Sequence, residues 1–225
     1  MRLPVLAAAV LGLALIVSPA SAKDKKQPLT PPPVAIDMTI DQDLTHDPEN
    51  VLLLDLSDGG RVAIRLKPQW APEHVARIKA LAGQGFYNGI IFHRVIDGFM
   101  AQTGDPTGTG NGGSPLPDLK AEFNNAPHLR GMVSMARTND PDSANSQFFI
   151  MFYPKVALDH KYTVFGRVIA GMEWVDAIQR GEPPANPTRI LQASLASDNK
   201  GPPAITAAAP PAAPSVTELN TSPSN

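Results

Sequence analysis

The sequence predicts a mainly β domain, a barrel or a sandwich, with two α-helices far apart in the chain. Three observations carry this. Short apolar or alternating runs recur between residues 50 and 196, with glycine- and proline-rich turns between them. Only two stretches in that region show helical spacing. The length, 225 residues, suits one ordinary domain plus tails.

Met1-Arg2 is a short positive start, Leu3 to Val17 an apolar run, and Ser18-Pro19-Ala20-Ser21-Ala22 ends in an A-x-A signal. Residues 1–22 therefore read as a signal peptide cut after Ala22, and the run is too short for a convincing membrane span. No cysteine follows it, which excludes a bacterial lipoprotein. The expected destination is export, to the periplasm first and full secretion second. Residues 23–47, with Lys23, Lys25, Lys26 and Pro31-Pro32-Pro33, read as a flexible leader. Residues 48–198 form the expected domain. Residues 199–225 are rich in Pro, Ala, Ser and Thr with little apolar bulk, and read as a disordered tail.

Within the domain, Asn50 to Leu56 is an apolar run and Ser57-Asp58-Gly59-Gly60 is turn chemistry. Arg61 to Lys67 then alternates, with Val62, Ile64 and Leu66 on one face and Arg61, Arg65 and Lys67 on the other, which predicts a hairpin with one wet face. Pro72 suits a first helical turn, Val75, Ile78, Leu81 and Ala82 form an apolar stripe, and Gly83 and Gly85 end it; His74, Arg77 and Lys79 face elsewhere. Strands are expected near 91–96, 98–102, 132–135, 147–152, 163–169 and 190–196. A second helix, 172–180, presents Met172, Val175 and Ile178 and stops at Gly181.

Composition excludes several classes of function. There is no cysteine, so disulfides, thiol catalysis and cysteine-ligated zinc are out. The net charge is −2 and becomes −3 when Arg2 is lost with the signal peptide; no basic stripe marks a nucleic-acid partner. The five histidines show no metal spacing. Gly108-Thr109-Gly110-Asn111-Gly112-Gly113 matches G-x-G-x-x-G formally. Ser114-Pro115-Leu116-Pro117 follows it, however, where a dinucleotide fold needs a helix, so it reads as a loop. No G-x-S-x-G elbow is present. Asp105, Asp118 and Glu122 read as loop residues.

The chemistry concentrates in two runs. Residues 92–105, Phe-His-Arg-Val-Ile-Asp-Gly-Phe-Met-Ala-Gln-Thr-Gly-Asp, place a guanidinium, an amide, an aromatic ring and a thioether close together; residues 143–151, Ser-Ala-Asn-Ser-Gln-Phe-Phe-Ile-Met, repeat the theme with Gln147 and Phe149. Such a set can grip something apolar while presenting one fixed positive donor, with no obvious nucleophile. With Gly131-Met132-Val133-Ser134-Met135-Ala136 and the stretch Ala157 to Val168, the chain shows four blocks in the order found in the cyclophilins, and over roughly residues 50 to 196 it resembles that family of peptidyl-prolyl cis-trans isomerases.

The resemblance implies a closed eight-stranded antiparallel β-barrel capped by two α-helices, with no cofactor or metal. It implies that Arg94 and Gln102 are catalytic, Arg94 as donor to the proline nitrogen and Gln102 orienting it. Phe99, Met100, Phe149 and Leu158 would wall a proline pocket, Gln147 would bond the substrate backbone, and Ala136, Arg137 and Tyr162 would line the groove. His93, in a reaction without net proton transfer, reads as a structural or pocket-edge residue. The implied partners are unfolded or extended proline-containing chains, with the protein a monomer and no membrane insertion after cleavage. A proline-peptide binding module or holdase with negligible turnover is the alternative.

Four positions depart from the family pattern: Ala157 for a common Trp, which should weaken cyclosporin-type ligands; Tyr162 for His; Arg137 for Asn, which adds positive charge near the residue preceding proline; and Thr103 for Gly.

Overall fold

The computed structural model describes residues 36–204; the expected signal peptide, most of the leader and most of the tail lie outside the described residues. Strands β1 (Val51–Leu56) and β2 (Arg61–Leu66) form the expected hairpin, with Leu54 opposite Val62 and Asp55 opposite Arg61. Arg61 closes it with a two-pronged ion pair to the buried Asp55 carboxylate, at 2.6 and 2.9 Å. Helix α1 (Pro72–Gly83) buries Val75, Ile78, Leu81 and Ala82. Strands β3 (Arg94–Ile96), β4 (Met100–Thr103), β5 (Met132–Met135), β6 (Phe148–Met151) and β7 (Val164–Ala170) follow, then helix α2 (Met172–Ala177) and strand β8 (Ile190–Leu195). Helix α2 stops three residues short of Arg180, yet Val175 and Ile178 are both buried as the stripe requires.

All eight strands join one antiparallel sheet, in the order β3-β4-β6-β5-β7-β2-β1-β8. The sheet is an open half-barrel, which corrects the expectation of a closed barrel: no ladder joins its edges, β3 and β8. Isolated bridges span the gap instead, Ile91 to Arg189 and Val95 to Gly181. The reason lies in the chain facing β3, where Pro183, Pro184 and Pro187 have no N–H to donate and cannot extend a ladder.

The main core fills the concave side with Leu52, Leu54, Ile64, Phe92, Phe148, Ile150 and Phe165, under both helices. Two further points correct the sequence reading. His74, expected to face away from the core, is fully buried, with Nδ1 at 2.6 Å from Glu122, whose carboxylate also accepts the first backbone N–H groups of α1. The outer face of β2 is not wet at Arg65. That side chain is buried, and its guanidinium donates to carbonyls of Asp41, Asp43, His46 and Asp47 and to the Asp41 carboxylate. Gln42 and Met38 add bonds to Ile169 and Arg167, so residues 38–47 lie strapped over β2 and β7.

Replacing Arg65 with Ala is expected to destabilise the fold by about 2 kcal/mol, the scale of hydrogen bonds to a charged group. It is also expected to release the strap. Urea unfolding with hydrogen exchange checks this; unchanged protection in residues 41–47 would contradict it.

Candidate active site

Strand alternation decides where the site sits. Val95, Ala101, Phe148 and Ile150 point into the main core, while Ile96, Met100, Phe149 and Met151 belong to a second apolar cluster on the opposite, outer face. Register then assembles the site: Arg94 lies opposite Gln102, Gln102 opposite Phe149, and Phe149 opposite Ser134. Arg94, Met100, Gln102 and Phe149 thus ride on paired strands.

A cavity of about 120 Å³ opens there, lined by Arg94, Phe99, Met100, Gln102, Ala136, Arg137, Phe149, Leu158 and Tyr162. Phe149 and Met100 are buried in its floor. Tyr162 meets Phe149 edge to face at 5.8 Å, and His128 stacks behind Phe149 at 6.2 Å. His128 is itself fixed, with Nδ1 at 2.8 Å from Asp159 and Nε2 at 3.1 Å from Ser134 Oγ. Leu158 comes from a short 3-10 turn, Val156–Leu158, that leaves Ala157 exposed on the rim. Arg137 lies over the Tyr162 ring at 4.5 Å and donates only to backbone carbonyls, those of Lys161, Thr138 and Asn139. Its charge faces the cavity with no carboxylate paired to it among the described residues.

A wider polar cavity of about 510 Å³ continues the groove, sharing Gln102, Ala136 and Arg137 and bounded by Gly110–Ser114, Asp118, Thr138, Ser143, Asn145 and Gln147. Its wall is the 105–113 loop, organised by Asp105, which accepts the Thr107 hydroxyl and N–H and the Gly110 N–H. Burial would push the Asp105 carboxyl up, but these bonds and one from Gly112 hold it down at about 2. Gly104 starts the turn at φ 90°, and a Cβ there would lie 2.3 Å from the Ser146 carbonyl, so only glycine fits.

The polar partnerships differ from those expected. Gln102 donates to Gln147 at 2.8 Å rather than bonding Arg94. Gln147 in turn donates to the carbonyls of Gly110 and Gly112, holding the loop instead of presenting its amide N–H groups to the groove. Arg94 donates from Nε to Glu182 at 2.8 Å, and Nη1 and Nη2 have no hydrogen-bond partner among the described residues. His93 is buried, lines neither cavity, and has both ring nitrogens without a partner among the described residues. Sequence reasoning missed Glu182, His128 and Asn145. His128 and Asn145 lay inside or beside quoted runs, but nothing local marked Glu182. Among the described residues no group of three or more His, Cys, Asp or Glu side chains is placed to hold a metal, and no helix is long and apolar enough to cross a membrane.

The family model for the cyclophilin type peptidyl-prolyl cis-trans isomerase/CLD matches residues 51–195, the stretch that contains the whole sheet. The chain belongs to the cyclophilin family. A probable peptidyl-prolyl cis-trans isomerase of Brucella suis is 49% identical over 170 residues, 68% of this chain and 86% of that protein. The human peptidyl-prolyl cis-trans isomerase-like 3 is 44% identical over 128 residues, covering 55% and 79%. Among solved structures, the cyclophilin AquaCyp293 from Hirschia baltica superposes with a TM-score of 0.62 at 33% identity, covering 68% of this chain and 76% of that one. A cyclophilin-type isomerase from Cryptosporidium parvum, solved in the presence of the dipeptide Ala-Pro, gives 0.61 at 28% identity over 64% and 98%. This chain is thus a cyclophilin-type peptidyl-prolyl cis-trans isomerase.

Burial lowers the affinity of His74, His93 and His128 for protons, outweighing the carboxylates beside His74 and His128 and Asp105 near His93. Their native values lie below the unfolded one of ~6.5. As pH falls through that value the unfolded chain takes up protons that the native imidazoles refuse, so stability present above it is lost below it. Urea midpoints are expected to fall from pH 7 towards 5. His93→Leu, which breaks no hydrogen bond, is expected to flatten that slope.

Proposed function

We propose that this cyclophilin turns X-Pro bonds in exported, extended polypeptides by holding the proline ring in the small apolar cavity and donating from Arg94 to the proline nitrogen. The X-Pro bond resists rotation because its C–N bond has partial double-bond character, with a barrier of ~20 kcal/mol. Halfway round, resonance is lost and the nitrogen recovers a lone pair. A donor aimed at that lone pair binds the twisted amide better than either planar form, which is what acceleration requires. The apolar walls hold the ring while the preceding carbonyl swings. No bond is made or broken, so no nucleophile or proton shuttle is needed.

The observation that carries this reading is the side chain of Arg94 at the edge of a small cavity walled by Phe99, Met100, Phe149 and Leu158, with its terminal nitrogens unpartnered among the described residues. A guanidinium stays charged at any working pH, so the donor is always available. The polar cavity beyond Gln102 is wide enough to take the chain preceding the proline. The expected signal peptide, residues 1–22, supports clients met after translocation, most simply in the periplasm; the enzyme is proposed to act as a monomer without nucleic-acid or membrane partners.

Exchange NMR of a short X-Pro peptide tests the mechanism. Wild type is expected to accelerate exchange and Arg94→Ala to lose about 100-fold or more, the scale of removing one preorganised donor. Equal acceleration by both would overturn the role of Arg94, and binding without acceleration by wild type would make the protein a proline-peptide binding module.

The unneutralised Arg137 adds a preference. Peptides with Glu before proline are expected to exceed those with Lys by about three- to fivefold in kcat/KM, the scale of one water-screened charge contact. Arg137→Asn is expected to erase the difference in the same assay.

A further inference from the structure

Arg94 has a cross-strand neighbour on each side. On β4 it is Gln102, in register. On the other side β3 meets no strand but the isolated bridge of Val95 to Gly181, made by reciprocal N–H···O bonds of 2.8 and 2.9 Å. In an antiparallel pair, bridging residue 95 to residue 181 sets residue 94 beside residue 182. Glu182 therefore stands beside Arg94 by backbone geometry, and its Oε2 takes the Nε hydrogen at 2.8 Å. The position is well fixed: Gly181 sits at φ 142°, and a Cβ there would lie 2.6 Å from Pro184 Cα, so a side chain at 181 would push this segment away.

We propose that Glu182 is a positioning residue for the reaction, orienting the guanidinium of Arg94. This rests on the reading of Arg94 given above. A guanidinium is planar, so a partner fixed on Nε sets the direction of Nη1 and Nη2 as well. With Nε held by Glu182, rotation about the last side-chain bonds is restricted and the terminal nitrogens remain for the cavity. Glu182 lines neither cavity. It takes the orienting part that the amide of Gln102, bonded to Gln147, does not take here. Both members of the pair are substantially exposed, at 40% and 52% side-chain accessibility, so the effect is modest and is read in rate rather than stability.

The test is a double-mutant cycle on the full chain, by exchange NMR of an X-Pro peptide, with wild type, Glu182→Ala, Arg94→Ala and the double variant. Glu182→Ala is expected to lower kcat about threefold, the scale of an exposed ion pair, with peptide KM nearly unchanged. In the Arg94→Ala background it is expected to change nothing. Glu182→Gln, which keeps an acceptor oxygen, is expected to recover part of the rate. In wild type the Arg94 Nε–H resonance is expected to exchange slowly with water, and that protection is expected to vanish in Glu182→Ala. An unchanged or raised kcat in Glu182→Ala overturns the proposal, as does an equal loss in both backgrounds. Full activity in Arg94→Ala would instead overturn the reading of Arg94 itself, whatever Glu182 does.

Discussion

The register of β4 against β6, with Gln102 beside Phe149 and Ala101 beside Ile150, is the constraint on which the rest of the molecule depends. β5 and β6 are buried on both faces and β4 nearly so, one face against the main core and the other against the second apolar cluster. A slip of one residue would send Phe149 into the interior and Phe148 out to the groove, breaking core and site together. The same ladders reach β5, whose Ser134 supports His128 behind Phe149, and β3, which carries Arg94. Core packing at Phe148 and Ile150 therefore sets the place of the functional groups within the tolerance of a β-ladder.

On that base the site is a positioning device. Its apolar half is held by contacts two layers deep, Tyr162 against Phe149 and Phe149 against His128. Its polar half is a chain of single hydrogen bonds, from Gln102 to Gln147 and on to the glycine carbonyls of the loop. The two halves meet at the partly exposed Arg94. In the proposed mechanism a peptide covering this arginine removes water from around it, so that its charge acts across a lower dielectric than in the open groove.

Much of this was legible in the chain. The hairpin at 51–66, the stripe of α1 and all eight strands follow from period and turn chemistry, because those signals are local. The pocket residues were legible because four compact blocks carry them. What escaped is what depends on distant partners. Arg65 reads as a wet-face residue until a segment some twenty residues upstream delivers carbonyls to it, and His74 reads as exposed until Glu122 arrives from the far side of the chain. The open edge of the sheet follows from prolines facing β3, a pairing that no local pattern announces. Glu182 escaped for the same reason: only the bridge at Gly181 brings it to Arg94. His93 sits beside Arg94 in sequence, yet strand alternation turns it away from the cavity.

The placement of the groove on the outside of a filled half-barrel has an evolutionary consequence. Interior positions such as Phe148 and Ile150 answer to folding, while cavity-lining positions such as Arg137 and Tyr162 lie outside the main core. The rim is thus free to drift under selection for different clients without endangering the amount of folded protein a cell maintains. The two demands fall on different parts of the chain: Phe148 and Ile150 on β6, Arg137 and Tyr162 on the connections after β5 and before β7.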